Sequence, residues 1–370
     1  VSVRVTRLAG DPTARGRAHG EAWAAEIRAY TEERVHLASN GSWAGRPATR
    51  ADVLGLAEEM VPAHRAYDPE VWAELEAMAA AAGISAAEAI VVGGFTDFVD
   101  AVRARATASE KNQSSQESES PAEWVEDDCT AVVVPDARAA GAGFLAQTWD
   151  MHDTATQHVV LLDLAPDEAP PALVFTTVGC VAQIGLNAHG VAVGINNLTA
   201  ADGRVGVTWP FVVRRMLRAR TAEEAVQCVL DAPLAGGHDY LVLDAEGRGA
   251  NVEAMPTHAA VTWLDAEVLA HTNHVVDPEG RRREAVRPAA LQQSSLERLS
   301  RAIERTRTGP LGLPELVALT RDPVICRASE PPYHMETSGA VVMRPRTREL
   351  WAVWRSPRDH DYERFVVPSR

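Results

Sequence analysis

Apolar positions recur at helical spacing up to about residue 104 and at strand spacing from residue 129 onward. In "GRAHGEAWAAEIRAYTEERVHLAS", Ala22, Ile27, Tyr30 and Val35 share one face and the charges take the other. "TRADVLGLAEEMVPAHRAY" and "DPEVWAELEAMAAAAGIS" continue the pattern, with Asp68-Pro69 as a helix start and Gly83 as a stop. "SAAEAIVVGGFTDFVDA" reads as a further short helix, with Ser85 as cap and Glu88 at the capping-box position.

From Cys129 the segments are short, β-branched and punctuated by Gly, Pro, Asn and Asp: "CTAVVVP", "GFLAQTW", "HVVLLDL", "ALVFTTV", "VAQIGLN" and "GVAVGIN". Two helices interrupt, "WPFVVRRMLRA" and "TAEEAVQCVLDA", the second with Thr221 as cap and Glu224 three residues on. Strands resume in "DYLVLDAEGRGANVEAM", "AAVTWLD" and "EVLAHTN". "SSLERLSRAIERT" and "LPELVALTRD" read as helices, and "GAVVMRPRTRELWAVWRS" as a last hairpin. Helices first, then hairpin strands with helices between them, predict an α+β fold with large antiparallel sheets.

Between the two patterns, "ATASEKNQSSQESESPAEWVEDD" is rich in Ser, Glu and Gln. So few apolar groups cannot offset the entropy of ordering the chain, so a mobile acidic loop is expected over about residues 105–128. The chain therefore divides into a mainly helical region, 1–128, and a strand-rich region, 129–370.

Composition narrows the function. The 46% hydrophobic content suits a globular core, and the net charge of −15 comes with no basic tract, which argues against a nucleic-acid partner. No apolar run reaches the roughly 18 residues of a membrane span. "VSVRVTRLAG" is too polar for the core of a signal peptide, so a soluble cytoplasmic protein is expected. Cys129, Cys180, Cys228 and Cys326 lie far apart, without the paired spacing of a zinc knuckle. No metal is expected.

Cys129 stands where the polar stretch meets the first strand. A thiolate nucleophile needs a base and a fixed position. His152, His158, His189, His271 and His274 are available, but spacing pairs none of them with Cys129. Cleavage before Cys129 would supply a base directly, because an α-amine titrates near ~7.7–8.0. A buried structural cysteine at a strand start is the other reading of the residues alone.

A series of blocks, in order, resembles the acyl-coenzyme A:6-aminopenicillanic acid acyltransferase (isopenicillin N acyltransferase-like) family of the N-terminal nucleophile (Ntn) hydrolase superfamily. They are "GDPTARGRAHGEAW", "CTAVVV", "FLAQTWDMH", "GCVAQIGLNAHGVAVGINNL", "DYLVLDAEGRGANVEAMP", "LAHTNH" and "ICRASEPPYHMETSGAVVMRPRTRELW". The resemblance implies a four-layer αββα sandwich of two antiparallel sheets covered by helices. It also implies self-cleavage between Asp128 and Cys129, leaving a helical α fragment associated with a β fragment. Cys129 would be the nucleophile, Asn273 the oxyanion donor, and Asp150 the carboxylate near the new amine. Thr130, Asn196 (with Asn197 as rival), Arg298 and His274, with His271 beside it, fall in the neighbourhood of substrate and oxyanion; Glu253 is a further candidate. Trp149 and Trp209 are candidates for an acyl pocket or for plain core. The implied substrate is a small acylated amine or peptide-like amide, with no cofactor and acyl-coenzyme A as a co-substrate.

Two departures stand out. Relatives commonly have glycine before the nucleophile, where this chain has Asp127-Asp128. Related hydrolases carry an arginine three residues before the site carboxylate, where this chain has Gln147, so an arginine must come from elsewhere. Two alternatives stay open: a Cys-His hydrolase that needs no cleavage, using His152 or His274, and an uncleaved binding relative. Oligomeric state and the fate of the acyl group are not legible.

Overall fold

The computed structural model describes residues 2–45, 47–111 and 128–368. The helical region holds strand β1 (Val5–Gly10) and helices α1 (Pro12–Ser39), α2 (Arg50–Tyr67), α3 (Pro69–Ala82), α4 (Ala86–Gly93) and α5 (Phe95–Lys111). Then come β2 (Asp128–Val134), β3 (Phe144–His152), β4 (Val159–Pro166), β5 (Ala172–Thr177), β6 (Ile184–Asn187), β7 (Ala192–Leu198), α6 (Trp209–Met216) and α7 (Ala222–Leu230). The chain continues through β8 (Gly237–Leu243), β9 (Gly249–Met255), β10 (His258–Trp263), β11 (Leu269–His271), α8 (Ala289–Thr306) and α9 (Leu313–Thr320). It closes with β12 (Met335–Arg344), β13 (Glu349–Trp354) and β14 (Glu363–Val366).

Three local expectations change. "SAAEAIVVGGFTDFVDA" holds the breakpoint of two helices, because the chain turns at Gly94 between α4 and α5. Helix α5 runs to Lys111, so the loop expected from residue 105 is helical over its first residues, where Ala, Glu and Lys favour helix. The rest of that loop, residues 112–127, lies outside the described residues. β1 is an addition: only Leu8 of its six residues is buried, which leaves no period to read.

Among the described residues the strands form an eight-stranded sheet, β1-β4-β5-β6-β7-β8-β9-β10, and a six-stranded sheet, β11-β2-β3-β12-β13-β14. Pairing is antiparallel except between β1 and β4, which run parallel. Hairpin connections impose antiparallel pairing, whereas the whole helical region separates β1 from β4 and removes that constraint.

Alternation along β2 sets the layers. Ala131 and Val133 join the core between the sheets, while Val132 and Val134 pack outward with Phe144, Ala146 and Val342 against Ala302 of α8 and Leu316 and Leu319 of α9. Helices α6 and α7 cover the other sheet. The result is the α+β sandwich of two sheets between helices.

The helical region shares this core. Helix α1 presses on α3 through Gly16 and Gly20, where a Cβ would lie 2.0 Å from the Glu74 carbonyl oxygen and 2.4 Å from that of Met78. Helix α5 is fastened to the sandwich by two buried carboxylates. Asp97 bonds His238 Nδ1 at 2.8 Å and accepts from Trp209 N at 2.7 Å. Asp100 accepts from Ala200 N at 2.9 Å and Gly237 N at 3.1 Å. Among the described residues no single helix is long and apolar enough to cross a membrane.

Candidate active site

Cys129 is the second residue of β2, a strand buried along its whole length between β11 and β3. His271 of β11 lies opposite Ala131, so continuing that register by two residues brings Asn273 opposite Cys129. The side chain of Asn273 closes the pair: Cys129 N donates to Asn273 Oδ1 at 2.7 Å. Arg298 Nη2 donates to the same oxygen at 3.0 Å, and Asn273 Nδ2 donates to the Asn197 carbonyl at 3.1 Å. Two donors on one atom and an acceptor on the other fix which end of the amide faces Cys129.

Arg298 comes from α8. Its Nη1 donates to the Cys129 carbonyl and, at 3.0 Å, to Thr130 Oγ1. Ser295, three residues earlier on the same helical face, accepts from Asn273 N at 2.9 Å. One face of α8 thus holds both β2 and the Asn273 segment. Burial lowers the Arg298 pKa to about 10, against the pull of Asp150 and Cys129, which favour its charged form. Arg298 thus places a cation beside Cys129. Gln147 instead ties the sheets, accepting from Ile195 N at 3.0 Å and donating to the Ile195 carbonyl. The sheets approach closely there: a Cβ on Gly194 would lie 2.7 Å from Gln147 Oε1.

Strand parity puts the Cys129 side chain on the inter-sheet face and those of Asp128 and Thr130 on the face toward α8. Asp128 and Asp150 sit directly opposite each other in the β2–β3 register, two fully buried carboxylates. Their charges are met differently. Asp128 Oδ1 is 3.1 Å from Arg298 Nη2 and 3.5 Å from Arg287 Nη2, and Asp128 Oδ2 receives Arg327. Asp150 Oδ1 accepts from Thr337 Oγ1 at 2.7 Å, and that hydroxyl accepts from Arg327 N at 2.8 Å. A register shift between Thr337 and Gly339 lets β12 set Thr337 opposite Asp150.

The remaining candidates stand one layer away. Asn196 Nδ2 donates to Asp239 Oδ2 at 2.9 Å, and it is the backbone of its neighbour Asn197 that touches Asn273. His271 bridges the sheets, with Nδ1 3.0 Å from Asp239 Oδ2 and Nε2 2.9 Å from Glu253 Oε1. Burial works against its charge, but the two carboxylates outweigh that and raise its pKa to about 10. Glu253 also accepts from Val276 N and Asp277 N at 2.6 and 2.7 Å; against burial, these bonds and His271 hold its pKa down. His274 bonds Ser295 Oγ through Nδ1 at 2.8 Å, and burial together with His271 lowers its pKa to about 4. His152 lies three residues along β3 from Trp149, the residue opposite Cys129, a distance of about 10 Å along the strand. Trp149 packs edge-on to Phe175, and Trp209 stacks on His238.

No sequence pattern singles out Arg287, Arg327 or Thr337. Arg327 and Thr337 fall inside the quoted "ICRASEPPYHMETSGAVV" block, but nothing local marks either as a partner of Asp128 or Asp150.

Fold and site together define a two-sheet α+β sandwich with a cysteine at the head of an inner strand, its backbone nitrogen held by a side-chain amide. Residues 137–358 match the family described as acyl-coenzyme A:6-aminopenicillanic acid acyl-transferase, and the chain belongs to that family. The match begins beyond Cys129. No curated protein matches the chain. Among solved structures, a mutant of conjugated bile acid hydrolase from Clostridium perfringens is similar at 9% identity and a TM-score of 0.44, over 65% of this chain and 97% of that one. Penicillin V acylase from Agrobacterium tumefaciens is similar at 12% identity and a TM-score of 0.36, over 61% and 82%. Likeness at these scores assigns nothing to this chain.

Proposed function

We propose that the protein cleaves itself between Asp128 and Cys129 and then works as an N-terminal cysteine amidohydrolase or acyltransferase. The observation that carries this reading is the 2.7 Å bond from Cys129 N to Asn273 Oδ1. The one nitrogen that cleavage would turn into an α-amine already has a buried acceptor aimed at it.

In the first step the thiol of Cys129 attacks the Asp128 carbonyl carbon, the C–N bond breaks, and the acyl group passes to sulfur as the nitrogen takes up a proton. Water then hydrolyses the thioester, leaving a carboxylate on Asp128 and a free amine on Cys129. In turnover that amine takes the thiol proton, and the thiolate attacks the carbonyl of a small acylated amine or peptide-like amide. Asn273 holds the amine through Oδ1 and offers Nδ2 to the tetrahedral oxygen, a few kcal/mol of stabilisation by analogy with other oxyanion donors. Arg298 fixes Asn273 and the Cys129 carbonyl, and Asp150 favours the ammonium form. The amine product leaves with the proton, and the acyl-enzyme passes to water or to a second amine, with acyl-coenzyme A as an alternative donor.

Histidine is a poorer base here. His274 is neutral, with a pKa of about 4, and His152 is displaced along β3. Denaturing gels and intact mass test the proposal: two fragments split before Cys129, lost in Cys129→Ala, are expected. A single full-length chain in an active preparation refutes it.

A further inference from the structure

Asp128 is the first acyl group the thiol would meet, and its surroundings describe the second. The residue before a self-cleaving nucleophile presents its carbonyl to sulfur as a substrate does. Whatever holds its side chain is therefore placed to hold the acyl substituent of a substrate. Around Asp128 that holder is cationic: Arg298 Nη2 at 3.1 Å and Arg287 Nη2 at 3.5 Å on Oδ1, and Arg327 on Oδ2. The side chains of Arg287 and Arg298 are each 1% exposed. Departure of Asp128 would take one carboxylate from among three guanidiniums, two of them out of reach of solvent, and a buried cationic cluster favours another carboxylate in its place. A carboxylate arriving with the substrate restores the pairing.

On the reading that Cys129 is an N-terminal nucleophile, we propose that the Arg287–Arg298–Arg327 cluster is an acyl-carboxylate subsite that selects succinyl-type acyl groups. The length follows from Asp128 itself, whose side-chain carboxyl is two carbons from its carbonyl carbon. Succinyl and N-substituted aspartyl groups match that span; malonyl is one carbon short and glutaryl one carbon long. Access has a route. Arg327 is 21% exposed, and with Thr337, Arg355, Arg358 and His360 it lines a cavity of about 430 Å³. The step balances without a further reactant. The thiolate displaces the amine from the succinyl carbonyl, the amine leaves with the proton held by the Cys129 α-amine, and water converts the succinyl thioester to succinate and free thiol.

The test follows acylation of Cys129 by intact mass in the processed protein, using succinyl, glutaryl and butyryl thioesters of N-acetylcysteamine. Butyryl is the uncharged control for the same carbon chain. Charge-assisted pairing predicts succinyl labelling about 10- to 100-fold faster than butyryl, with glutaryl between them. Arg327→Gln and Arg287→Gln should each bring the succinyl-to-butyryl ratio down about tenfold, and Arg327→Lys should recover part of it. Since each enzyme is its own control, a general loss of activity does not move the ratio. Butyryl labelling as fast as succinyl overturns the subsite and leaves the N-terminal nucleophile standing. An uncut chain labelled by none of the three thioesters overturns both.

Discussion

Replacing His271 by Phe tests the electrostatic joint between the two sheets. In the native protein the imidazole is buried between Asp239 and Glu253, at 3.0 and 2.9 Å. Its pKa is raised from 6.5 to about 10, so the folded state holds a proton that the unfolded chain releases anywhere between these values. At about 1.4 kcal/mol per pH unit, that window is worth up to about 5 kcal/mol. Removing one partner of a buried ion pair costs about 3–5 kcal/mol, which is the same size. The sign is definite. A base with a raised folded pKa gives its full stability below pH 6.5 and loses it as pH rises through 10. Urea denaturation of the native and His271→Phe proteins should therefore differ most at pH 6, with the gap narrowing steadily toward pH 10. A gap of several kcal/mol that does not change between pH 6 and pH 10 would refute the charged bridge. So would an NMR titration showing the His271 ring neutral at pH 8.

Three other outcomes are expected. Asn273→Ala should lower kcat about 10²- to 10³-fold in the processed enzyme, the usual loss for one oxyanion donor, measured under single-turnover conditions. Asp128→Asn, which keeps the side chain's shape but removes its charge among three arginines, should destabilise the uncut chain by about 3–5 kcal/mol in denaturant melts; a change under 1 kcal/mol would show that the arginines do not depend on it. Gly194→Ala, placing a methyl 2.7 Å from Gln147 Oε1 and 2.9 Å from Leu145 Cδ2, should cost about 1–3 kcal/mol by forcing the sheets apart, read by the same melts.

What was legible in the sequence follows from the physics that each feature depends on. Asp68, Ser85 and Thr221 announce helix starts because capping is local, and all three side chains cap as expected. The strand at Cys129 is legible because it is buried on both faces and so reads as an unbroken β-branched run. Asn273 and Arg298 were named from the resemblance, and the fold brings both to Cys129. Arg327 was not, since it meets Asp128 across 199 residues of chain through packing that no short window contains. The histidines could not be told apart in the sequence for a related reason. His271 and His274 are neighbours in sequence, but one is charged between sheets and the other is neutral against α8, a difference set by strands β8 and β9 and by Ser295. Asn196 and Asn197 divide the same way: alternation along β7 sends the Asn196 amide to Asp239, leaving the Asn197 carbonyl for Asn273.

The two carboxylates of α5 have a consequence for how the molecule holds together. Asp97 and Asp100 do for this helix what a ladder does for a strand, taking backbone amides of Ala200, Trp209 and Gly237 into buried bonds. With β1 laid along β4, the helical region is grafted into the sandwich at both ends, through contacts that lie away from the peptide bond before Cys129. Severing that link would remove a tether and leave these contacts in place. On the proposed cleavage the two pieces would behave as a heterodimer whose dissociation is indistinguishable from unfolding, and dilution alone should not separate them.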